Sequence, residues 1–182
     1  TRLTFTVEAG PFLVLEPNDA VTWFINDVRT IRWDVADTDQ APVSCSLVNI
    51  LLSSDGGLTY PDTLASGIPN TGMADVLVPD RPGIEARVRV ACATSIFFDI
   101  SDEDFTIIKS PVDTVSVFPL FASEAVCNAD QYSYKILISA LGDYNEPLNL
   151  TLSGLPAGVT ADFVRNPITP SDTIDLTFSN LE

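Results

Sequence analysis

The 182-residue chain contains no histidine, and that absence removes a large part of the catalytic repertoire. Histidine is the side chain whose ordinary pKa lies near neutrality. It therefore serves as general base, as the activator of serine and cysteine nucleophiles, and as the commonest zinc ligand. None of those sites can be assembled from this chain alone. Cations are scarce as well: nine Lys plus Arg stand against 25 Asp plus Glu, a formal net charge of −16. Nucleic-acid binding rests on neutralising phosphates with Lys and Arg, so DNA and RNA are poor partners for such a chain. Long apolar runs are missing too. VNILL at 48–52 is typical, and it falls far short of the roughly 20 residues that a helix needs to cross a bilayer. No segment sustains a helical period. Neither an initiating Met nor a signal peptide stands at Thr1, so the sequence reads as a piece of a longer precursor.

What is present is apolar, acidic and strand-like. With 46% hydrophobic residues the chain has the means to bury a core and is not disordered by composition. The length suits one large domain or two of about 100 residues each. The simplest reading of the acidic surplus is a solubilising surface suited to a salty or extracellular medium; attraction for cations such as Ca²⁺, or for basic partners, is the sharper one. In TIRWDVA, Ile31, Trp33 and Val35 share one face and Arg32 and Asp34 the other; in EARVRVACA, Ala86, Val88, Val90 and Cys92 face in while Arg87 and Arg89 face out. Tyr134, Ile136 and Ile138 repeat the alternation, as do Leu148, Leu150 and Leu152, and again Ile174, Leu176 and Phe178. Thirteen prolines and nine glycines fall between such runs. Short alternating strands with frequent turns predict antiparallel β-sandwiches, in which each sheet buries one face and wets the other. IIKSPVDT marks a boundary, because Pro111 interrupts one strand run before another begins. The expectation is an all-β chain of two modules, residues 1–109 and 110–182.

Within NILLSSDGGLTYPDTL, residues Ser53, Asp55, Gly57, Thr59 and Tyr60 spell S-x-D-x-G-x-T-Y. The pattern resembles the Asp-box found on the blades of sialidases and related propellers. A propeller needs at least four blades at a regular period of about 40 residues, and no such repeat is present. Physically the box is a hairpin device. Gly56 and Gly57 supply the positive φ of a tight turn, Asp55 and Ser53 accept backbone N–H groups, and Thr59 with Tyr60 starts the returning strand. These five residues are assigned a structural role, with no catalytic residue among them.

Other candidates come with competing readings. Asp99, Asp102 and Asp104 in FFDISDEDF are weak calcium candidates, as are Asp34, Asp37 and Asp39 in WDVADTD, since clustered oxygen ligands on loops suit Ca²⁺. Neither run has EF-hand spacing, and solvated acidic turns are the competing reading; no other metal or cofactor is implied. Cys45 and Cys92 lie near strand ends, where a bridge would leave Cys127 over; three unbridged thiols are the alternative. Trp33 shares a face with Ile31 and Val35, which predicts core packing. Trp23 is either a lid on the core or an exposed platform for stacking a sugar ring.

Taken in order, AGPFLV, EPNDAVTW, TIRWDVADTD, APVSC, VNILLSSDGGLTYPDTLASGIPN, ARVRVACA and IFFDISDEDFTI resemble the immunoglobulin-like module that follows the catalytic domain in secreted bacterial reprolysin-like zinc metalloproteases. LSGLPAGVTADFVRNPITPSDTIDLTFSN is similar to a repeated pattern of bacterial extracellular proteins. The resemblance implies two tandem immunoglobulin- or fibronectin-III-like β-sandwich modules, secreted or displayed at the cell surface. They would be non-catalytic, acting as spacers or interaction modules. The parent's His-Glu-x-x-His zinc helix is not in this sequence. Partners would be other domains of the same polypeptide, or an extracellular protein or polysaccharide, with no nucleic acid and no membrane span. The competing function is a carbohydrate-binding or adhesive module built on an aromatic or a calcium loop. The second module offers five strand candidates, DTVSVF, YSYKILISA, LNLTLS, VTADFV and TIDLTF. A sandwich usually wants seven or more, so this module is expected to be C-terminally truncated.

Overall fold

The computed structural model describes residues 10–120 and 131–181; TRLTFTV at 1–7 and Cys127 lie outside them. The described residues contain thirteen strands and no helix, the all-β architecture that the alternation predicts. The chain divides into two units, Thr1–Lys109 and Ser110–Glu182, and the described residues of each are compact.

Unit 1 holds β1 (Leu13–Glu16), β2 (Thr22–Phe24), β3 (Val28–Asp34), β4 (Leu47–Ser53), β5 (Asp62–Pro69), β6 (Met73–Leu77), β7 (Gly83–Cys92), β8 (Phe98–Ile100) and β9 (Phe105–Ile108). One sheet runs β1-β3-β6; the other runs β2-β9-β7-β4-β5, with β8 also paired to β7. All pairings are antiparallel except β2 with β9. β8 and β9 divide one edge of β7: β9 pairs at Gly83 and Ala86, and β8 at Arg89–Ala91. The register follows from period-2 chemistry, because a slip of one residue would turn every inner side chain to water. Val14, Ile31, Trp33 and Val76 of the smaller sheet meet Val48, Ile50, Leu52, Val88, Val90, Phe105 and Ile107 of the larger one in a single buried cluster. That is the face-to-face packing of a sandwich. Burying each such aliphatic side chain contributes about 1.5–3 kcal/mol relative to leaving it exposed.

Two devices stitch this core. Cys45 and Cys92 form a disulfide with their Cα atoms 6.0 Å apart, joining the segment before β4 to the end of the neighbouring β7. Buried Asn70, just after β5, accepts a hydrogen bond from Trp33 Nε1 at 2.7 Å and donates to the Cys45 carbonyl at 2.9 Å and to Thr38 Oγ1 at 3.2 Å. A large indole sits in the core only because its N–H is satisfied there.

In unit 2, β10 (Thr114–Pro119), β11 (Gln131–Leu141), β12 (Thr160–Phe163) and β13 (Asp172–Ser179) form one antiparallel sheet in the order β10-β11-β13-β12. Its polar face carries the Lys135–Asp175 pair at 2.9 Å and a Ser133–Thr177 hydroxyl bond at 2.6 Å. Its apolar face holds Ile138, Ile174 and Ile168, with Leu148, Leu150 and Phe163 packed alongside. LNLTLS at 148–153 is not a strand, contrary to expectation. Leu148 makes one bridge, exchanging N–H and C=O bonds with Ile168. At Leu150 the side-chain amide of Asn166 takes over, accepting from Leu150 N at 2.9 Å and donating to Leu150 O at 2.8 Å. The expected inward leucines 148 and 150 do face the sheet, but a side chain supplies the backbone partners that a ladder would.

Candidate functional site

The Ser53–Tyr60 turn closes β4 onto β5. Gly56 and Gly57 have φ of 69° and 89°, a region that costs little only for glycine. Ser53, fully buried, donates to Asp55 Oδ1 at 2.6 Å and accepts from Gly57 N at 2.9 Å. Asp55 in turn accepts from Thr59 N at 2.9 Å through Oδ1 and from Thr59 Oγ1 at 2.6 Å through Oδ2. The hydrogen bonds from Ser53 and Thr59 hold its carboxyl at about 2, below the ordinary 3.8, because each donor favours the charged form. Gly56 N donates to Glu85 O at 2.9 Å and so pins the turn against β7. Gly57 lies where a Cβ would come within 3.1 Å of the Tyr60 hydroxyl and 3.3 Å of Arg87 Cδ. The backbone approaches both side chains closely because nothing projects from it there. Ser53, Asp55, Gly57 and Thr59 are thus brought together, and each is engaged with the turn itself.

Tyr60 does something else. Its ring covers the Arg89 guanidinium, 4.5 Å from carbon to centroid, and Phe98 of β8 approaches the same guanidinium at 5.2 Å. Arg89 and Arg87 point outward from alternate positions of β7. Arg87 is neutralised by Asp104 at 2.5 Å and also donates to Ser101 O at 3.2 Å. Burial pushes the Tyr60 phenol above its ordinary pKa, against the opposing pull of Arg89 and Arg87. Sequence reading missed this stack. The available signal was two arginines on the wet face of an apolar strand in a chain so poor in cations.

Of the calcium candidates, Asp99, Asp102 and Asp104 each bond to a different protein partner. Asp99 Oδ2 accepts from Val14 N of β1 at 2.7 Å and so links the two sheets. Asp102 accepts from Asn18 Nδ2 at 2.8 Å while its own N–H donates to Asn18 Oδ1 at 2.7 Å. Asp104 faces Arg87. Three neighbours in sequence serve three different protein donors, because alternation along β8 and the following turn aims them apart. In the other run, Asp34 accepts from Ala36 N at 2.9 Å and Asp39 from Gln40 Nε2 at 2.5 Å. No group of three or more Cys, Asp or Glu among the described residues is placed to hold a metal ion.

Neither tryptophan offers a platform. Trp33 is 2% and Trp23 5% exposed, and Trp23 packs on Phe105 with ring centroids 4.4 Å apart. A shallow groove lined by Leu15, Pro17, Val21, Trp23 and Arg29 runs beside it, but the indole face is turned into the core. What fold and site define together is an all-β chain whose first unit is a disulfide-linked sandwich and whose Asp-box-like residues build a turn. No protein-family model matches the sequence, and no curated protein matches it.

Proposed function

We propose that the chain is a non-catalytic, extracellular β-module pair that spaces and docks other domains of a longer secreted bacterial protein. Engagement of the candidate groups carries the reading: Asp55, Asp99, Asp102 and Asp104 each bond to protein donors, and both indoles are buried. A disulfide and a net charge of −16 suit an oxidising, extracellular setting. The connectivity supports an immunoglobulin-like first unit, with β1, β3 and β6 in one sheet and β9, β7 and β4 in the other, joined by β1 and β2 lying in different sheets. The bridge departs from the inter-sheet cysteine pair of antibody domains, since β4 and β7 are neighbours in one sheet. The order of motifs from AGPFLV to IFFDISDEDFTI extends the proposal to a metalloprotease parent of the reprolysin-like kind.

Deleting residues 1–182 from the longer protein tests this. Hydrolysis of a short peptide should stay within about twofold, while turnover of a macromolecular substrate falls about fivefold or more, as lost effective concentration dictates. Equal loss on both substrates would overturn the non-catalytic role. Retardation of the isolated chain in polysaccharide gels would shift the reading to a carbohydrate-binding module.

A further inference from the structure

Arg89 stands apart from six other cations among the described residues. Arg29, Arg32, Arg81, Arg87, Lys135 and Arg165 each pair with a carboxylate within 3.2 Å. Among the described residues Arg89 has two aromatic neighbours and no carboxylate, and its buried Nε–H, like that of Arg29, lacks an acceptor. With 25 acidic residues against nine basic ones, an unpaired guanidinium is not for want of acidic side chains. The Asp-box-like turn instead places a ring over it: Asp55 and Ser53 fix the turn, the turn positions Tyr60, and Tyr60 covers Arg89. Phe98, half exposed, also lies against the guanidinium and supplies an apolar rim.

We propose that Arg89, held against the rings of Tyr60 and Phe98, is a docking point for a single Asp or Glu side chain presented by a partner protein. A guanidinium is a planar fork that matches a carboxylate with two parallel N–H···O bonds. Its long side chain normally loses rotamer freedom on binding, and rings that already hold it remove much of that loss. Arg and Tyr are also the residue types that dominate binding energy at protein interfaces, where apolar neighbours exclude water around them. The net charge of −16 selects the partner further. Its long-range field repels polyanions, so acidic polysaccharides and strongly acidic peptides are disfavoured. A neutral or basic protein surface offering one carboxylate meets both conditions. Arg89 is partly exposed, while its Nε is buried.

This inference deepens the docking reading above and rests on it, but its test is separate. The probe is N-acetyl-glutamate methylamide, which carries one carboxylate, added to the isotope-labelled 182-residue chain while the Arg Nε–H signals are followed by NMR. The Arg89 signal, assigned by its loss in Arg89→Lys, should shift saturably with a millimolar Kd. The neutral glutamine analogue should bind about tenfold more weakly or not at all, since it cannot make charge-assisted bonds. Arg89→Lys should abolish the amide shifts around β7 while its tryptophan fluorescence stays native. Phe98→Ala, at an exposed position, is the second variant and should weaken the probe about threefold or more. A non-saturable response, equal binding of the glutamine analogue, an equal shift with inorganic phosphate, or unchanged affinity in Phe98→Ala would each overturn the assignment. Those failures would leave the deletion experiment on the longer protein untouched, so the two readings fall separately.

Discussion

Removing the Cys45–Cys92 bridge is the perturbation whose size the structure sets most directly. The bridge spans 47 residues, and closing a loop of that length in the unfolded chain removes conformational entropy worth about 4 kcal/mol at room temperature. Both cysteines belong to the buried core, so Cys45→Ala/Cys92→Ala also deletes two buried sulfurs, which adds a smaller packing loss. Against a total stability of about 5–15 kcal/mol for a domain of this size, that is a large fraction. It converts to a fall in Tm of roughly 15–20 °C for a unit of about 110 residues.

Tryptophan fluorescence is the assay, because the chain's two tryptophans, Trp23 and Trp33, both lie in unit 1. The signal therefore reports this unit and not the other. The oxidised chain should melt well above the double variant, and the chain reduced with a phosphine should melt close to it. Urea m-values should rise on removal, since the unfolded ensemble becomes less compact. Oxidised and bridge-free forms melting within about 3 °C of each other would refute the entropy argument. So would an unreduced digest with no peptide pair linking Cys45 to Cys92.

Asn70→Leu removes the acceptor of Trp33 Nε1 and the donor to the Cys45 carbonyl; two stranded polar groups should cost about 2–4 kcal/mol in a urea melt, and a loss under about 0.5 kcal/mol would show the network to be dispensable. Asp99→Ala leaves Val14 N without its bond and should cost about 1–3 kcal/mol, with the melting point unmoved by added calcium in the wild-type chain; a calcium-dependent rise that Asp99→Ala abolishes would restore the metal reading. Asp55, with its folded pKa lowered to about 2 from 3.8, adds stability that is fully present above the unfolded value and lost as pH falls through the folded one. The stability difference between wild type and Asp55→Ala should therefore shrink between about pH 4 and pH 2, and a difference that stays constant across that window would contradict the hydrogen-bond account.

How far the sequence reached depended on the kind of signal. Ile31 and Trp33, and Ala86, Val88, Val90 and Cys92, were placed inward by alternation alone, and all are buried. Alternation works there because β3, β4 and β7 bury one face and wet the other. The turn at Ser53–Thr59 was legible because its residues act on one another within seven positions. The sequence leaves the disulfide open between two readings, since proximity of Cys45 and Cys92 depends on β4 pairing with β7, which no local pattern encodes. Asn70, Asn166 and the Tyr60–Arg89 contact escape sequence reading for the same reason: each joins residues at least 16 positions apart. In the acidic run at 99–104, nearness along the chain suggests a shared ligand, while Asp99, Asp102 and Asp104 bond to separate protein partners.

Unit 2 separates two things that a period of 2 is commonly asked to report at once. Alternation at Leu148, Leu150 and Leu152 indicates which side chains turn the same way, and Leu148 and Leu150 do pack on the sheet. It says nothing about where the backbone finds its hydrogen-bond partners, and every buried N–H and C=O needs one. Along β11 those partners come from β10 and β13. At Leu150 they come from the side chain of Asn166, whose amide offers the donor and acceptor that a neighbouring residue would present. Asn166 can do this because the Leu148–Ile168 bridge fixes the distance between the two segments. An extended stretch then covers part of an apolar sheet face without joining any sheet, and so adds no long edge of its own for other chains to pair with.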